Sequence, residues 1–169
     1  GSKALFVTED PLDAIAHSQL FPGARYAYLC TGGTSTKAQR EMIHSFSQKF
    51  KLPIILGNDN DLAGQLENFK LAYHTANIEY AINSKTQRVL LTVNGAEREW
   101  GKDEIVAALQ AVMKQRPNMI LSIPWAKDWN DDLRSSKKSI SLRIAENMAR
   151  VQIETTKSEQ RGVIAGKLP

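Results

Sequence analysis

Short apolar runs that alternate with amphipathic stretches constrain this chain more than any other feature. Ala4 to Thr8, Ala24 to Cys30 and Leu52 to Leu56 are apolar and β-prone, and each is followed by a stretch of helical periodicity. In the first stretch Asp10 stands as N-cap, Pro11 takes the first helical position, and Leu12, Ile15, Ala16 and Leu20 share a face before Pro22-Gly23 stops it. The second, Lys37 to Phe50, carries Met42, Ile43, Phe46 and Phe50 at helical spacing. The third, Leu62 to Thr75, carries Leu66, Phe69, Leu71 and Tyr73. The order βαβαβα predicts an α/β fold: a parallel sheet with right-handed crossovers and helices on its faces.

The alternation then breaks. Gln87 to Trp100 reads as a hairpin around Asn94-Gly95. Lys102 to Gln115 reads as a helix with Ile105, Val106, Leu109 and Met113 inward. Residues 83–118 are therefore expected to be an insertion on the core domain. Met119 to Pro124 returns as a strand and leads through Lys127 to Leu133 into a helix expected to reach about Val151. The domain is thus expected over 1–151, with 152–169 a polar linker or tail.

Composition excludes several classes. Apolar residues make up 42% of 169 and charged residues 24%, the balance of a soluble globular chain. No apolar run approaches the roughly 18 residues of a membrane span. The start, Gly1-Ser2-Lys3, runs straight into a strand with no signal-peptide pattern; Gly1-Ser2 reads as a cloning remnant, and the expectation is a piece of a longer protein. A single cysteine, Cys30, forbids an internal disulfide, fits a cytoplasmic setting, and is expected to be a buried structural thiol. The charge is uneven. Eight basic residues stand against three acidic ones from Leu133 onward, a net of +5 that leaves −1 for the rest of the +4 total. A basic end beside a near-neutral body suits a polyanion partner, nucleic acid foremost, and equally a solvated helix face.

The acids fall at strand ends. Glu9 closes the first apolar run, Asp59 and Asp61 follow the third, and Asp128 follows the last. Ligands of open α/β sheets bind beyond the carboxyl ends of the strands. Carboxylates grouped there would repel and raise one another's pKa unless a cation offsets them. Mg²⁺ suits such a site, being held by one or two carboxylates together with waters and substrate phosphates. Each acid also has a structural alternative: Asp10, Asp61 and Asp128 are all placed to begin helices. Gly64 at a helix entry would allow close approach of a phosphate or a neighbouring strand, and Lys127 would pair with a phosphate.

The segments TEDPLDAIA, TGGT, GNDNDLAGQ and KDWNDDL, in this order and spacing, resemble the TOPRIM domain, the catalytic module of topoisomerases, bacterial primases and some nucleases. The resemblance covers residues 4–82 and resumes at 119–133. It implies a three-layer, Rossmann-like parallel-sheet fold with Mg²⁺, or Mn²⁺, as cofactor. It implies Glu9, Asp59 and Asp61 as catalytic residues, with Glu9 in general acid/base chemistry or metal binding, and Glu9, Asp59, Asp61 and Asp128 around the metal. The KDWNDDL segment is similar to primase-type members and to those attached to plasmid mobilisation proteins and relaxases. The tyrosines, Tyr26, Tyr28, Tyr73 and Tyr80, all fall in strand-like or helical core segments, which disfavours topoisomerase-type strand passage.

Gly32 and Gly33 form a strand-to-helix turn whose N–H groups would meet a phosphate. Lys137, Lys138 and Arg143 would contact a nucleic-acid backbone or simply solvate a helix. Trp129 would stack a base or pack the last helix. His17, His44 and His74 have no zinc-like spacing and are expected at the surface or core edge. The expected partners are DNA, single-stranded foremost, nucleotides, and other domains of a parent protein. The expected function is metal-dependent nucleotidyl transfer; a binding-only module and a nuclease on the same fold are the alternatives. A receiver-like or dehalogenase-like enzyme is disfavoured, because Glu9 stands where those folds place a nucleophilic aspartate.

Overall fold

In a computed structural model, residues 1–116 and 118–137 are described. The chain divides into two units, 1–133 and 134–169. The first holds every element below; of the second, only the helical residues 134–137 are described. The expected helix beyond 137, the tail 152–169, Lys138 and Arg143 lie outside the described residues.

The first unit runs β1 (Ala4–Thr8), α1 (Pro11–Leu20), β2 (Tyr26–Cys30), α2 (Lys37–Phe50), β3 (Ile54–Leu56), α3 (Leu62–Ala72), β4 (Ile78–Asn83), β5 (Arg88–Val93), β6 (Ala96–Trp100), α4 (Lys102–Gln115) and β7 (Met119–Leu121). A further helical segment starts at Trp129. Strands β2, β1, β3 and β7 form one parallel sheet in that order, with Phe6 opposite both Tyr28 and Ile55, and Ile55 opposite Ile120. This is the mixed α/β architecture that the alternation predicts.

Strand alternation builds three layers. Leu5, Val7, Ile54 and Leu56 point into a core with Ile43 of α2, Leu66 and Phe69 of α3, and Ile105 and Leu109 of α4. Ala4, Phe6 and Ile55 point the other way, against Ala16 of α1 and Trp129. Each central strand is thus buried on both faces, which is why β1 and β3 read as continuous apolar runs.

Local chemistry fixes the helix starts. The Asp10 carboxylate accepts from Leu12 N at 2.6 Å, ahead of Pro11. Thr36 and Gln39 form a capping box on α2, with Thr36 Oγ1 accepting from Gln39 N and Gln39 Oε1 from Thr36 N. Asp61 caps α3 through Gly64 N at 2.9 Å. Asn94 and Gly95 both take positive φ, 50° and 85°, as the tight hairpin between β5 and β6 requires.

Several expectations need correction. The hairpin is part of a three-stranded antiparallel sheet, β4-β5-β6, so the separate structure begins at Ile78 rather than Asn83. Val89 and Leu91 of its central strand face the core, whereas β4 is mostly exposed. The α1 face is rotated: Leu12 and Ile15 are exposed, and Asp13, Ala14, Ala16 and His17 are buried. Likewise Met42, Phe46 and Phe50 of α2 are exposed, and Arg40, Ile43, His44 and Ser47 are buried. The polar residues go inward because backbone carbonyls meet them: Arg40 Nη1 donates to Ser35 O, His44 Nε2 to Leu71 O, and Ser47 Oγ to Leu52 O. His17 is also buried, its ring 3.9 Å from that of Phe6 and 4.7 Å from that of Trp129. His74 lies beyond the end of α3, stacked on His44 at 3.5 Å.

Candidate metal centre

The carboxyl ends of the four parallel strands open onto one cleft of about 470 Å³. After β1 the chain supplies Glu9 and, with the start of α1, Asp10 and Asp13. After β2 it supplies Gly32 and Gly33, after β3 Asp59, and after β7 Asp128 and Asn130. Five carboxylates therefore line a single open pocket.

Their charges act on one another. Burial pushes the Asp59 carboxyl up from 3.8 to about 7, and the charges of Asp13, Asp61 and Asp128 push the same way against the opposing pull of Lys127. Burial also raises Glu9, with Glu67, Asp61 and Asp10 adding to the shift and Lys127 again opposing it. Asp13 is raised by burial and by Asp128, although its carboxylate accepts from Asn130 N at 3.4 Å.

Backbone contacts hold this edge together. Gln65 Nε2 donates to Asp59 O at 2.8 Å, Asn60 N to Lys127 O at 2.7 Å, and Lys102 Nζ to Asn60 O at 2.7 Å. Beneath them Asn58 is buried, and its Nδ2 donates to Asn68 Oδ1 at 3.0 Å. Asp128 accepts from Asp131 N at 2.7 Å and opens the helical segment at 129. Asp132 accepts from both Trp125 N and Ala126 N.

Of the residues singled out in the sequence, Glu9, Asp59, Asp128, Gly32 and Gly33 meet at the cleft. Asp61 does not line it; its Oδ1 is committed to capping α3, although its charge reaches Glu9 and Asp59. Lys127 touches the site through its backbone carbonyl and its charge. Lys137 belongs to the second unit. Gly32 and Gly33 take φ of 70° and 115°, and a Cβ at either would meet open space, so conformation and not crowding requires glycine there. Gly64 serves backbone packing: a Cβ there would stand 2.3 Å from Asp59 O. Trp129 packs rather than stacks a base, being 4% exposed with Nε1 donating to Gly57 O. Cys30 is half-buried, and burial raises its thiol pKa, which keeps it protonated and a poor nucleophile.

Two acids escaped the sequence reading. Asp13 stands four residues after Glu9, a spacing that puts both at the mouth of α1, yet its place at a helix start hid it among ordinary first-turn acids. Glu67 sits in the middle of α3 with no local signal. It is buried, and it accepts from Ser35 N and Oγ at the end of the glycine loop while pairing with Lys70 Nζ at 2.5 Å.

A family model described as Toprim-like matches residues 6–88, 83 of the 169 residues. The match covers just under half of the chain and supports a Toprim-like domain there. The match takes in Glu9, the glycine turn, Asp59 and Asp61; β7 and Asp128 lie beyond it and join the site through the sheet. No curated protein and no solved structure matches the chain.

Toprim-like domains generally bind Mg²⁺, and the donors here suit it: they are all oxygen, and a cation would offset the burial and the like charges that together lift Asp59. Among the described residues, no three His, Cys, Asp or Glu side chains draw together tightly enough to hold a metal by themselves. No helix among the described residues is long and apolar enough to cross a membrane.

Proposed function

We propose that this protein is a Mg²⁺-dependent nucleotidyl-transfer module of the primase type that acts on nucleic acid. The observation that carries the reading is the cleft of strand-end carboxylates, in which burial and like charge hold Asp59 at about 7. Asp59 and Asp128 would hold the ion, with Asp61 close enough to act on Asp59 by charge. When bound, Mg²⁺ would neutralise phosphate charge where nucleotide and strand meet. Glu9, also raised in pKa, is suited to hold or release a proton at the same edge. Gly33 offers an open backbone turn to a phosphate, Gly32 N being committed to Glu9 O at 2.9 Å, and Lys127 would supply counter-charge; Lys137, Lys138 and Arg143 would contact the nucleic-acid backbone. The KDWNDDL segment favours the variety associated with plasmid replication or mobilisation.

Calorimetric titration of Mg²⁺ and Mn²⁺ into wild type and an Asp59→Asn/Asp128→Asn variant tests this, followed by primer synthesis on single-stranded template. Binding and synthesis in wild type alone support the reading. Metal binding with strand cleavage in place of synthesis would make the module a nuclease. A second reading, a binding-only module, draws on the basic end of the chain, a net of +5 from Leu133 onward. Retained DNA binding without metal binding or turnover would favour it.

A further inference from the structure

Trp125 is 97% exposed, whereas tryptophan is among the residues most strongly buried on average. Its place is specific. It lies in the loop that follows β7, at the carboxyl edge of the sheet where the acids gather. The backbone under it is pinned, because the Asp132 carboxylate accepts from Trp125 N at 2.8 Å and from Ala126 N at 2.7 Å. An indole on a fixed backbone loses little further freedom when something stacks on it. The same loop carries Lys127, whose charge acts on Glu9 and Asp59, and Asp128, which lines the cleft. Two residues, Ala126 and Lys127, stand between Trp125 and Asp128, a span of about 11 Å at most.

We propose that Trp125 is a base-stacking platform for single-stranded nucleic acid, holding an unpaired base next to the nucleotide whose phosphate sits at the acidic cleft. The proposal rests on the nucleic-acid reading of that cleft. Stacking needs an unpaired base, because a duplex buries its base faces, and it tolerates any sequence. A single exposed indole followed closely in the chain by Lys127 and Asp128 suits a strand with a charged backbone and flat apolar bases better than an apolar protein surface.

The test is titration of a fluorescently labelled oligothymidylate, in Mg²⁺ buffer, into wild type, Trp125→Ala and Trp125→Phe, followed by anisotropy and repeated with an abasic oligomer of equal length. Intrinsic fluorescence provides a second readout, since Trp129 is buried and the Arg98 guanidinium covers Trp100 at 4.6 Å. We expect Trp125→Ala to weaken oligothymidylate binding about tenfold, Trp125→Phe to recover most of that, and the abasic oligomer to bind all three proteins alike. Quenching by oligothymidylate should be seen in wild type and lost in Trp125→Phe. Equal oligothymidylate affinity of wild type and Trp125→Ala would overturn the stacking role while leaving the cleft reading intact. Failure of wild type to bind any oligomer, with Mg²⁺ still binding, would overturn both.

Discussion

Gly64 lies directly beneath Asp59: a Cβ at position 64 would stand 2.3 Å from Asp59 O and 2.7 Å from Asp59 N. Both atoms are backbone, so no side-chain rotation relieves the clash. The first turn of α3 is thus fitted against the loop that carries the central acid of the cleft. Gly64→Ala must push that loop outward and strain Gln65 Nε2 on Asp59 O. We expect a loss of about 1–3 kcal/mol in urea unfolding and weaker Mg²⁺ binding by calorimetry. An alanine variant of wild-type stability with unchanged metal affinity would show that the loop gives way freely.

Asp59 makes stability depend on pH in a direction opposite to that of most acidic residues. Its folded pKa, about 7, lies above the ordinary 3.8. The folded state therefore favours the protonated form, and the carboxylate lowers stability progressively as pH rises from about 4 through 7. The whole shift corresponds to about 4 kcal/mol, which solvent at an open cleft reduces to about 1–2 kcal/mol. In metal-free buffer, Asp59→Asn should match wild type at pH 4 and exceed it at pH 8. Added Mg²⁺ should close the gap at pH 8 by stabilising wild type alone. Melting curves at both pH values, with and without Mg²⁺, check this.

Much of the first unit was legible because its signals are local. Continuous apolar runs marked β1 and β3, Asp10-Pro11 marked the start of α1, and Asn94-Gly95 marked the hairpin. The faces of α1 and α2 were not legible, because inward polar residues on each are satisfied by distant groups. Asp13 meets Asn130 N, and His44 meets Leu71 O. Periodicity counts apolar residues and is blind to partners far along the chain. Strand β4 was missed because IEYAIN is mostly exposed and offers no sharp inward face. At the site, Glu9, Asp59 and Asp128 were visible as strand-end acids. The distinction between Asp59, which lines the cleft, and Asp61, which caps α3, depends on which way the loop turns over Gly64.

Glu67 holds the glycine loop in place from within α3. Its Oε2 accepts from Ser35 N at 3.0 Å and Ser35 Oγ at 2.8 Å, and its Oε1 pairs with Lys70, which is itself buried. Glu67→Gln keeps the shape but leaves the Lys70 ammonium buried without its counter-charge. Breaking one side of a buried pair costs about 3–5 kcal/mol. We expect a loss in that range by denaturant unfolding, and recovery of most of it in Glu67→Gln/Lys70→Met. A single variant that loses under 1 kcal/mol would mean that water reaches Lys70.

His17 predicts acid sensitivity on the opposite face of the sheet from α3. Its ring lies among Phe6, Phe21, Tyr28 and Trp129, and its Nδ1 is 3.0 Å from Tyr28 Oη. Burial lowers its pKa from 6.5 to about 4. The unfolded chain therefore takes up a proton at a pH where the folded protein does not, so stability is complete above 6.5 and falls as pH drops towards 4. His44, also lowered to about 4 chiefly by burial, adds a second slope in the same window. His17→Gln should cost stability at pH 8 through lost ring packing, yet lose less than wild type between pH 6.5 and 4.5. The difference between the two stability curves should shrink by about 1–2 kcal/mol over that interval. Parallel curves from urea unfolding across the range would mean that His17 protonates within the folded aromatic cluster.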